Sequence, residues 1–569
     1  EQPAERVANA LEFREDAAAD EFSSDDICHI TNGDEFGGYE PIYAALFHKT
    51  LPHNDFGEVK PSDYETLIAC LETADFPTCE SIPAGLGRPL VNPLGGRAIQ
   101  MAGADSNALI IRPPPTLGSP KLAAQLAEMY WMALCRDVPF SRYANSKCTI
   151  MASENLVTMP GYRDFDILFR NDGTVDPARH LFRADYIGVD KGPHVSQFLV
   201  NDFSFDSLTV SVRQQTTVEH VDYMTDYDTW LFIQASEGLK NGGVDDVPEE
   251  TDTVKRYIRN ARDLANLAAT DAFYGEAFRA MHILTRLGAI SGKTGLYSDA
   301  SRQIGFTTFG NSHLFHLIGK METSQRNSWY QKWNVHRLLR PETMGGLVHH
   351  TLMGTRDYPV HPSLLDNDTL MNKIARHNKK QNKKKGCSEG KTYLLPMTVR
   401  EGSPAHPSYP AGHSVSNGAY ATILKAFVGF EKGEECFKNP VVPDDYGTQL
   451  EPYTVNGLTY EGEINKMAVN VAFGRGAPRV FEVITSMMGV HYRSDNTEGM
   501  HLGEAAVIRM LQQELKGLAE ASATDRDGNP VAIWKFRLFR GVMIAILPDG
   551  SYIVGDEPAC HKPYVEGPC

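Results

Sequence analysis

Three short stretches of this 569-residue chain hold side chains that could do chemistry together. The first is Trp329-Tyr330-Gln331-Lys332-Trp333-Asn334-Val335-His336-Arg337-Leu338-Leu339-Arg340-Pro341-Glu342. On a helix, Lys332, His336 and Arg340 would follow one another at i, i+4 and i+8 and share a face, with Pro341 stopping the helix after the arginine. Cations so spaced usually mark a wet helix face. Here Trp329, Trp333, Leu338 and Leu339 would bury the surroundings, which points to an anion site. The second stretch is His406-Pro407-Ser408-Tyr409-Pro410-Ala411-Gly412-His413-Ser414, ahead of a helical pattern from Val415 to Phe427. A glycine entering a helix N-terminus directs backbone N–H groups outward, where they bind oxyanions, and His413 would flank the anion. In the third, Gly489-Val490-His491-Tyr492-Arg493-Ser494-Asp495, the carboxylate follows the histidine by one helical turn. It can hold one imidazole nitrogen, fix the tautomer and make the other nitrogen a better ligand. HExxH, a CxxC pair, a phosphate loop and GxGxxG after a strand are all absent. Gly412-His413-Ser414-Val415-Ser416 lacks the second glycine of a serine-hydrolase elbow, so a serine nucleophile is discounted.

The elements that must position these residues are mostly helices. Ser119 and Pro120 read as N-cap and first residue of a helix along which Leu122, Leu126, Met129, Tyr130, Ala133 and Leu134 recur. From Thr251, the spacing of Val254, Tyr257, Ile258, Ala261, Leu264 and Leu267, then Phe273, Phe278, Met281 and Leu284, predicts two consecutive or kinked core helices. Residues 193–217 predict short strands or a hairpin, and residues 531–554 a small terminal sheet around a Pro-Asp-Gly turn. Between Lys373 and Lys385 seven of thirteen residues are Lys or Arg, which predicts a solvated loop. No aromatic is interleaved there, as binding to a nucleic acid would favour. The fold class is therefore mainly α, with minor β hairpins. The expected organisation is an N-terminal arm and helical segment over residues 1–118, ended by the extended run from Pro113 to Gly118. A helical-bundle catalytic body over 119–530 and a β-hairpin region over 531–569 complete one compact unit.

Composition narrows the function classes. Acidic residues number 72 against 55 Lys plus Arg, a formal charge of −17. A polyanion would meet net repulsion, which argues against nucleic-acid binding as the main activity. No window approaches the about eighteen consecutive apolar residues of a membrane-spanning helix. The opening Glu1-Gln2-Pro3 fits a processed secretory chain, or equally a trimmed one. Among nine cysteines, Cys70 with Cys79 and Cys560 with Cys569 make local pairs that favour disulfides. An oxidising compartment is then expected, with a secreted, extracellular or cell-wall location. Cys28 is a candidate for an interchain bridge, while Cys135, Cys148, Cys387 and Cys436 are expected as free thiols. Asn367-Asp368-Thr369 is a sequon that permits glycosylation.

Taken together, KWNVHRLLRP, HPSYPAGHS and GVHYRSD resemble the three-part oxyanion signature of vanadium-dependent haloperoxidases and their relatives, the type 2 phosphatidic acid phosphatases. Further segments, among them KLAAQLAEMYWMALCRDVPF, EGSPAHPSYPAGHS and EGEINKMAVNVAFGR, are similar to brown-algal vanadium bromoperoxidases, and the similarity covers nearly the whole chain. The resemblance implies a helical-bundle fold binding vanadate as a phosphate-like anion. It also implies hydrogen peroxide and bromide or iodide as substrates, and a hypohalous-acid equivalent that halogenates organic nucleophiles. On it, Lys332 and Arg340 neutralise the equatorial oxygens and Gly412 donates its N–H. His491 bonds the vanadium with Asp495 orienting it, His413 is the acid–base partner of the apical oxygen and peroxide, and His406 and Trp329 line the pocket. A homo-oligomer, a dimer or multiple of dimers, is also implied.

The sequence departs from the family pattern twice. Ala411 stands where serine is usual, removing a hydroxyl donor worth about 0.5–1.5 kcal/mol, enough to tune the site without abolishing it. The family places an arginine about six positions before the vanadium-binding histidine; position 485 is Thr. Arg475 has the expected context, but GAPRVFEVITSMM intervenes before Gly489. Either that stretch loops out and returns Arg475 to the pocket, which is preferred, or Arg479 substitutes, or the third cation is missing. Two other functions stay open: a phosphomonoesterase using the same cradle, with His491 as nucleophile and His413 as general acid, and an inactive secreted structural homologue.

Overall fold

The computed structural model describes residues 3–22, 28–34, 38–84, 88–100, 103–235, 250–267, 274–290, 295–297, 300–387, 390–428, 435–455, 457–474, 489–524, 527–528 and 534–555. Over these residues the chain is mainly helical, with two two-stranded sheets and one three-stranded sheet. The Pro120–Cys135 helix starts as its sequence predicts, Ser119 Oγ accepting from Leu122 N at 3.2 Å. It is buried along almost its whole length.

At the centre lies the Gly412–Val428 helix, packed against the Arg493–Lys516 and Tyr460–Gly474 helices. Small residues bring the first two together until their backbones touch. A Cβ on Gly503 would come 2.0 Å from Val415 O, one on Gly418 2.2 Å from Met500 O, and one on Gly499 2.8 Å from Ala411 O. This close crossing lays the first turns of the two helices side by side, and Ala411 N donates to Asp495 O at 2.9 Å. Gly503→Ala is expected to destabilise the protein by about 3 kcal/mol, the upper end for overpacking, because a helix carbonyl cannot rotate aside as a side chain could. A chemical-denaturation midpoint equal to that of the parent chain would refute the crossing as drawn.

The far end of the Arg493–Lys516 helix is tied down by charge. Glu514 accepts from Lys320 Nζ at 2.7 Å and lies 3.4 Å from His313 Nε2. His313 first, and then Lys320, outweigh burial and hold the Glu514 carboxyl at about 2, below its ordinary 4.5. A carboxyl depressed in the folded state stabilises above its unfolded value and loses that contribution as pH falls through the folded one. Thermal midpoints of Glu514→Gln should therefore fall less steeply than those of the parent between pH 4.5 and about 2. Parallel curves would count against it.

Several expected elements take another form. The lysine-rich stretch is the second half of a helix, Asp368–Lys384, with Arg376, Lys379, Lys380, Lys383 and Lys384 exposed and Leu370, Met371, Ile374, Ala375, Asn378, Gln381 and Asn382 buried. Asn367 caps it, accepting from Leu370 N at 3.2 Å and donating to Asn155 Oδ1 at 3.0 Å. Residues 251–260 are not helical: Arg256 pairs with Gln214 and Thr251 with Thr217, and the helix starts only at Ala261. The second predicted helix is Gly275–Arg286; Phe273 lies outside the described residues. Within 193–217, Gln197–Val200 forms a helical turn and Phe203–Phe205 pairs antiparallel with Leu208–Val210. The terminal sheet forms from Trp534–Arg537, Met543–Ile546 and Tyr552–Val554, consecutive and antiparallel.

Cys70–Cys79 is a disulfide, as expected, and so is Cys135–Cys148, which joins the end of one helix to the start of the next and corrects the expectation of free thiols there. Cys28, Cys387 and Cys436 form no disulfide among the described residues. Cys560 and Cys569 lie outside the described residues. Among the described residues no helix is long and apolar enough to cross a membrane.

Candidate active site

Lys332 and Arg340 reach one place by a route that helical spacing does not describe. The Ser324–Tyr330 helix widens into a π-helical turn, Gln331–His336, and Arg337 then takes a left-handed conformation (φ 43°). Leu338 and Leu339 run extended because the N-terminal segment pairs with them: Phe47 N donates to Arg337 O at 2.7 Å and Leu339 N to Ala45 O at 3.1 Å. Arg340 is thus the N-cap of a new helix, Pro341–Met353, which the proline opens and does not stop. His336 points elsewhere, its ring edge-on to Tyr409 at 4.9 Å.

What gathers the two cations is the 406–408 backbone. Lys332 Nζ donates to Pro407 O and Ser408 O, both at 3.0 Å, and Arg340 Nε donates to His406 O at 2.8 Å. Arg340 also donates from Nη1 to Val490 O and His491 Nε2 and from Nη2 to His406 Nδ1, each at 3.0 Å. The three sequence stretches therefore meet around one guanidinium. His491 stands just before the Arg493–Lys516 helix, and Asp495 in the first turn holds it, with His491 Nδ1 to Asp495 Oδ2 2.6 Å. Tyr492 N donates to the same oxygen at 3.1 Å, so the carboxylate caps its own helix while orienting the ring. Trp329 closes one side, 5.1 Å from the His406 ring and 5.9 Å from Lys332 Nζ.

Gly412 opens the central helix, and its N–H, like those of the rest of the first turn, has no intrahelical acceptor. A Cβ there would stand 2.8 Å from Gln325 Oε1 and 3.2 Å from Trp329 Cζ3. Gln325 Nε2 in turn donates to Gly412 O at 2.7 Å and bonds Ser416 Oγ. Ala411 is buried one residue earlier, and His413 is buried in the first turn. Arg475 and Arg479 lie outside the described residues.

Burial sets the protonation of the site. It pushes His491 and His406 far below the usual imidazole range, Arg340 and Lys332 adding to the effect, and His413 to about 4, again helped by Lys332. All three rings are neutral at neutral pH. With Asp495 holding the proton on Nδ1, the His491 lone pair is on Nε2, the atom that accepts from Arg340. Arg340 is fully buried, has no carboxylate within ion-pair distance among the described residues, and burial lowers it to about 9. A buried cation in that state is stabilised by an incoming anion. Two desolvated cations, helix N–H groups without intrahelical acceptors, a nitrogen lone pair and neutral imidazoles make a donor set suited to vanadate, a compact oxyanion around a metal that accepts a nitrogen ligand.

Sequence reasoning passed over three groups. Ser408 Oγ donates to Asp495 Oδ2 at 2.5 Å. Lys49 forms a fully buried ion pair with Glu342 and donates to Ser403 O at 2.6 Å, while Glu342 Oε2 accepts from Ser403 N at 2.6 Å. Together they pin the loop that leads to His406. Gln325 braces Gly412. Ser408 lies inside a motif already singled out, whereas Lys49 and Glu342 are 293 positions apart with no local pattern to pair them.

The profile of the VCPO second helical-bundle domain matches residues 327–517, the span that holds Trp329, Lys332, Arg340, His406, Gly412, His413, His491 and Asp495. A vanadium-dependent bromoperoxidase of Ascophyllum nodosum is 45% identical over 562 residues, covering 97% of this chain and 94% of that protein. One of Corallina pilulifera is 29% identical over 544 residues, 84% of this chain and 88% of its own. The homohexameric structure of the second vanadate-dependent bromoperoxidase of Ascophyllum nodosum superposes with a TM-score of 0.90 at 41% identity, over 98% of this chain and 92% of that one. With three motifs converging on one oxyanion cradle and likeness of this extent, the chain belongs to the vanadium-dependent bromoperoxidase family.

Proposed function

We propose that this chain is a vanadate-dependent haloperoxidase that uses hydrogen peroxide to oxidise bromide, and iodide, to a hypohalous-acid equivalent that halogenates organic nucleophiles. The observation that carries the reading is the convergence of Lys332, Arg340 and the Asp495-bound His491 on one buried cradle. In the reaction the O–O bond of peroxide breaks, bromide gives up two electrons, and a proton is taken up to yield hypobromous acid and water. Bound vanadate would supply the electrophilic activation of peroxide. Lys332, Arg340 and the Gly412 N–H would hold the anion's oxygens, and Arg475 is the candidate for a third cation. His491 Nε2 would be the metal ligand. His413, neutral through burial, accepts a proton from peroxide at a ring nitrogen and returns it to the leaving oxygen. His406 and Trp329 wall the pocket, and Ala411 leaves out the hydroxyl usual beside Gly412.

The test is reconstitution. With vanadate, the full chain should brominate a phenol-red-type acceptor only when peroxide and bromide are both present, and phosphate should inhibit. Phosphomonoester hydrolysis without peroxide-dependent bromination would replace this reading by the phosphatase one. Two disulfides among the described residues favour an oxidising compartment, and a secreted or cell-wall location goes with them. The exposed Cys28 thiol suits an interchain bridge in a homo-oligomer, visible as a reductant-sensitive dimer on gels.

A further inference from the structure

The side chain of Ser408 has no part in the roles assigned above, yet it is fully buried and in contact with the group that orients His491. Asp495 Oδ2 takes three donors: His491 Nδ1 at 2.6 Å, Ser408 Oγ at 2.5 Å and Tyr492 N at 3.1 Å. Asp495 Oδ1, also buried, has no hydrogen-bond partner among the described residues. One oxygen therefore fixes the rotation of the whole carboxylate, and among the described residues Ser408 is the only side chain besides His491 that holds it. The hydroxyl also lies 3.4 Å from His491 Nδ1, so it crowds the same side of the ring. The cradle itself is shaped by the backbone of Ser408: its N donates to Leu338 O and its carbonyl accepts from Lys332, both at 3.0 Å. Those two bonds survive removal of the hydroxyl.

We infer that the Ser408 hydroxyl is a positioning group for the proposed metal ligand: by anchoring Asp495 Oδ2 it sets the orientation of His491 and the donor strength of its Nε2. The inference rests on the vanadate reading of the site. It distinguishes two anions that share the cradle. Phosphate is held by the cations and N–H groups alone, whereas vanadate also takes the Nε2 lone pair, so only vanadate senses what lies behind His491.

Equilibrium dialysis of the full chain against vanadate and against inorganic phosphate tests it. Ser408→Ala should raise the vanadate Kd about tenfold, the lower range for losing an outer partner of a metal-bound histidine. The phosphate Kd should stay within about twofold, and its retention also shows that the variant is folded. Asp495→Asn should weaken vanadate further, and Ser408→Ala should add nothing in that background, since the two lie on one path. Ser408→Thr, which keeps the hydroxyl, should hold the parent ratio of the two constants. Equal weakening of both anions would assign Ser408 to cradle shape instead. An unchanged vanadate Kd, or an undiminished effect in the Asp495→Asn background, would overturn the inference. A parent chain that binds phosphate but not vanadate would sink the vanadate reading itself, before any variant is compared.

Discussion

His491→Ala is expected to weaken vanadate binding by more than about a hundredfold and to remove peroxide-dependent bromination with it. Losing only an outer partner of a metal-bound histidine costs about 10–100-fold, so losing the ligand atom itself lies beyond that range. The substitution also leaves Asp495 buried without the ring at 2.6 Å that it orients. Ser408 Oγ and Tyr492 N still donate to it, and Asp495 caps its own helix, so the fold should persist with reduced stability. Phosphate affinity is then the internal control. Lys332, Arg340 and the first turn at Gly412 are intact, and phosphate should bind within a few-fold of the parent. Near-parental vanadate affinity in His491→Ala would remove this residue from the metal-ligand role.

The second large effect is on stability and lies outside the cradle. Lys49 and Glu342 are both inaccessible to solvent, and each depends on the other. Burial pushes the Glu342 carboxyl up, but Lys49, Gln234 Nε2 at 3.0 Å and Ser403 N at 2.6 Å more than offset it, so the group is charged. Lys49→Met strands that charge, at a cost of about 3–5 kcal/mol. Chemical denaturation should show the loss, and the double variant Lys49→Met with Glu342→Leu should recover most of it, because two apolar groups leave nothing uncompensated. A single variant as stable as the parent would mean that the pair adds nothing. Since both residues grip Ser403, the single variant should also weaken phosphate and vanadate alike, through the loop that ends at His406.

The chemistry of the site was legible because each motif carries its own identity within a few residues. His491 and Asp495 meet through local geometry, and Gly412 and His413 open a helix as their pattern predicts. The joining of Lys332 to Arg340 was not legible. The π-helical turn and the left-handed Arg337 are enforced by residues 45–47, almost 300 positions away, and no spacing rule within the motif contains that pairing. The Asp368–Lys384 helix was missed for a related reason. Three of its seven buried residues are amides, Asn378, Gln381 and Asn382: Asn378 donates to Leu394 O at 2.9 Å and Asn382 to Thr225 O at 3.1 Å. Hydrophobic periodicity does not register polar residues that are buried by hydrogen bonding. Conversely, Val254, Tyr257 and Ile258 have helical spacing but belong to an extended segment, because residues 214–218 pair with the backbone of Glu250, Asp252 and Arg256 around them, and Tyr257 N donates to Gly447 O. In each case a distant strand-like pairing or a polar core overrode the local signal.

The cradle is built from carbonyls and side chains of three segments, around residues 332–340, 406–413 and 490–495, with no two of them adjacent in the chain. No partly unfolded form that releases one segment keeps the arrangement. An anion bound there is consequently coupled to the unfolding equilibrium of the protein as a whole, adding about 2.7 kcal/mol when its concentration is a hundred times its Kd. Heat resistance then becomes a gauge of loading. Preparations washed free of oxyanions should melt earlier than those kept in phosphate, and the two should converge once vanadate is supplied.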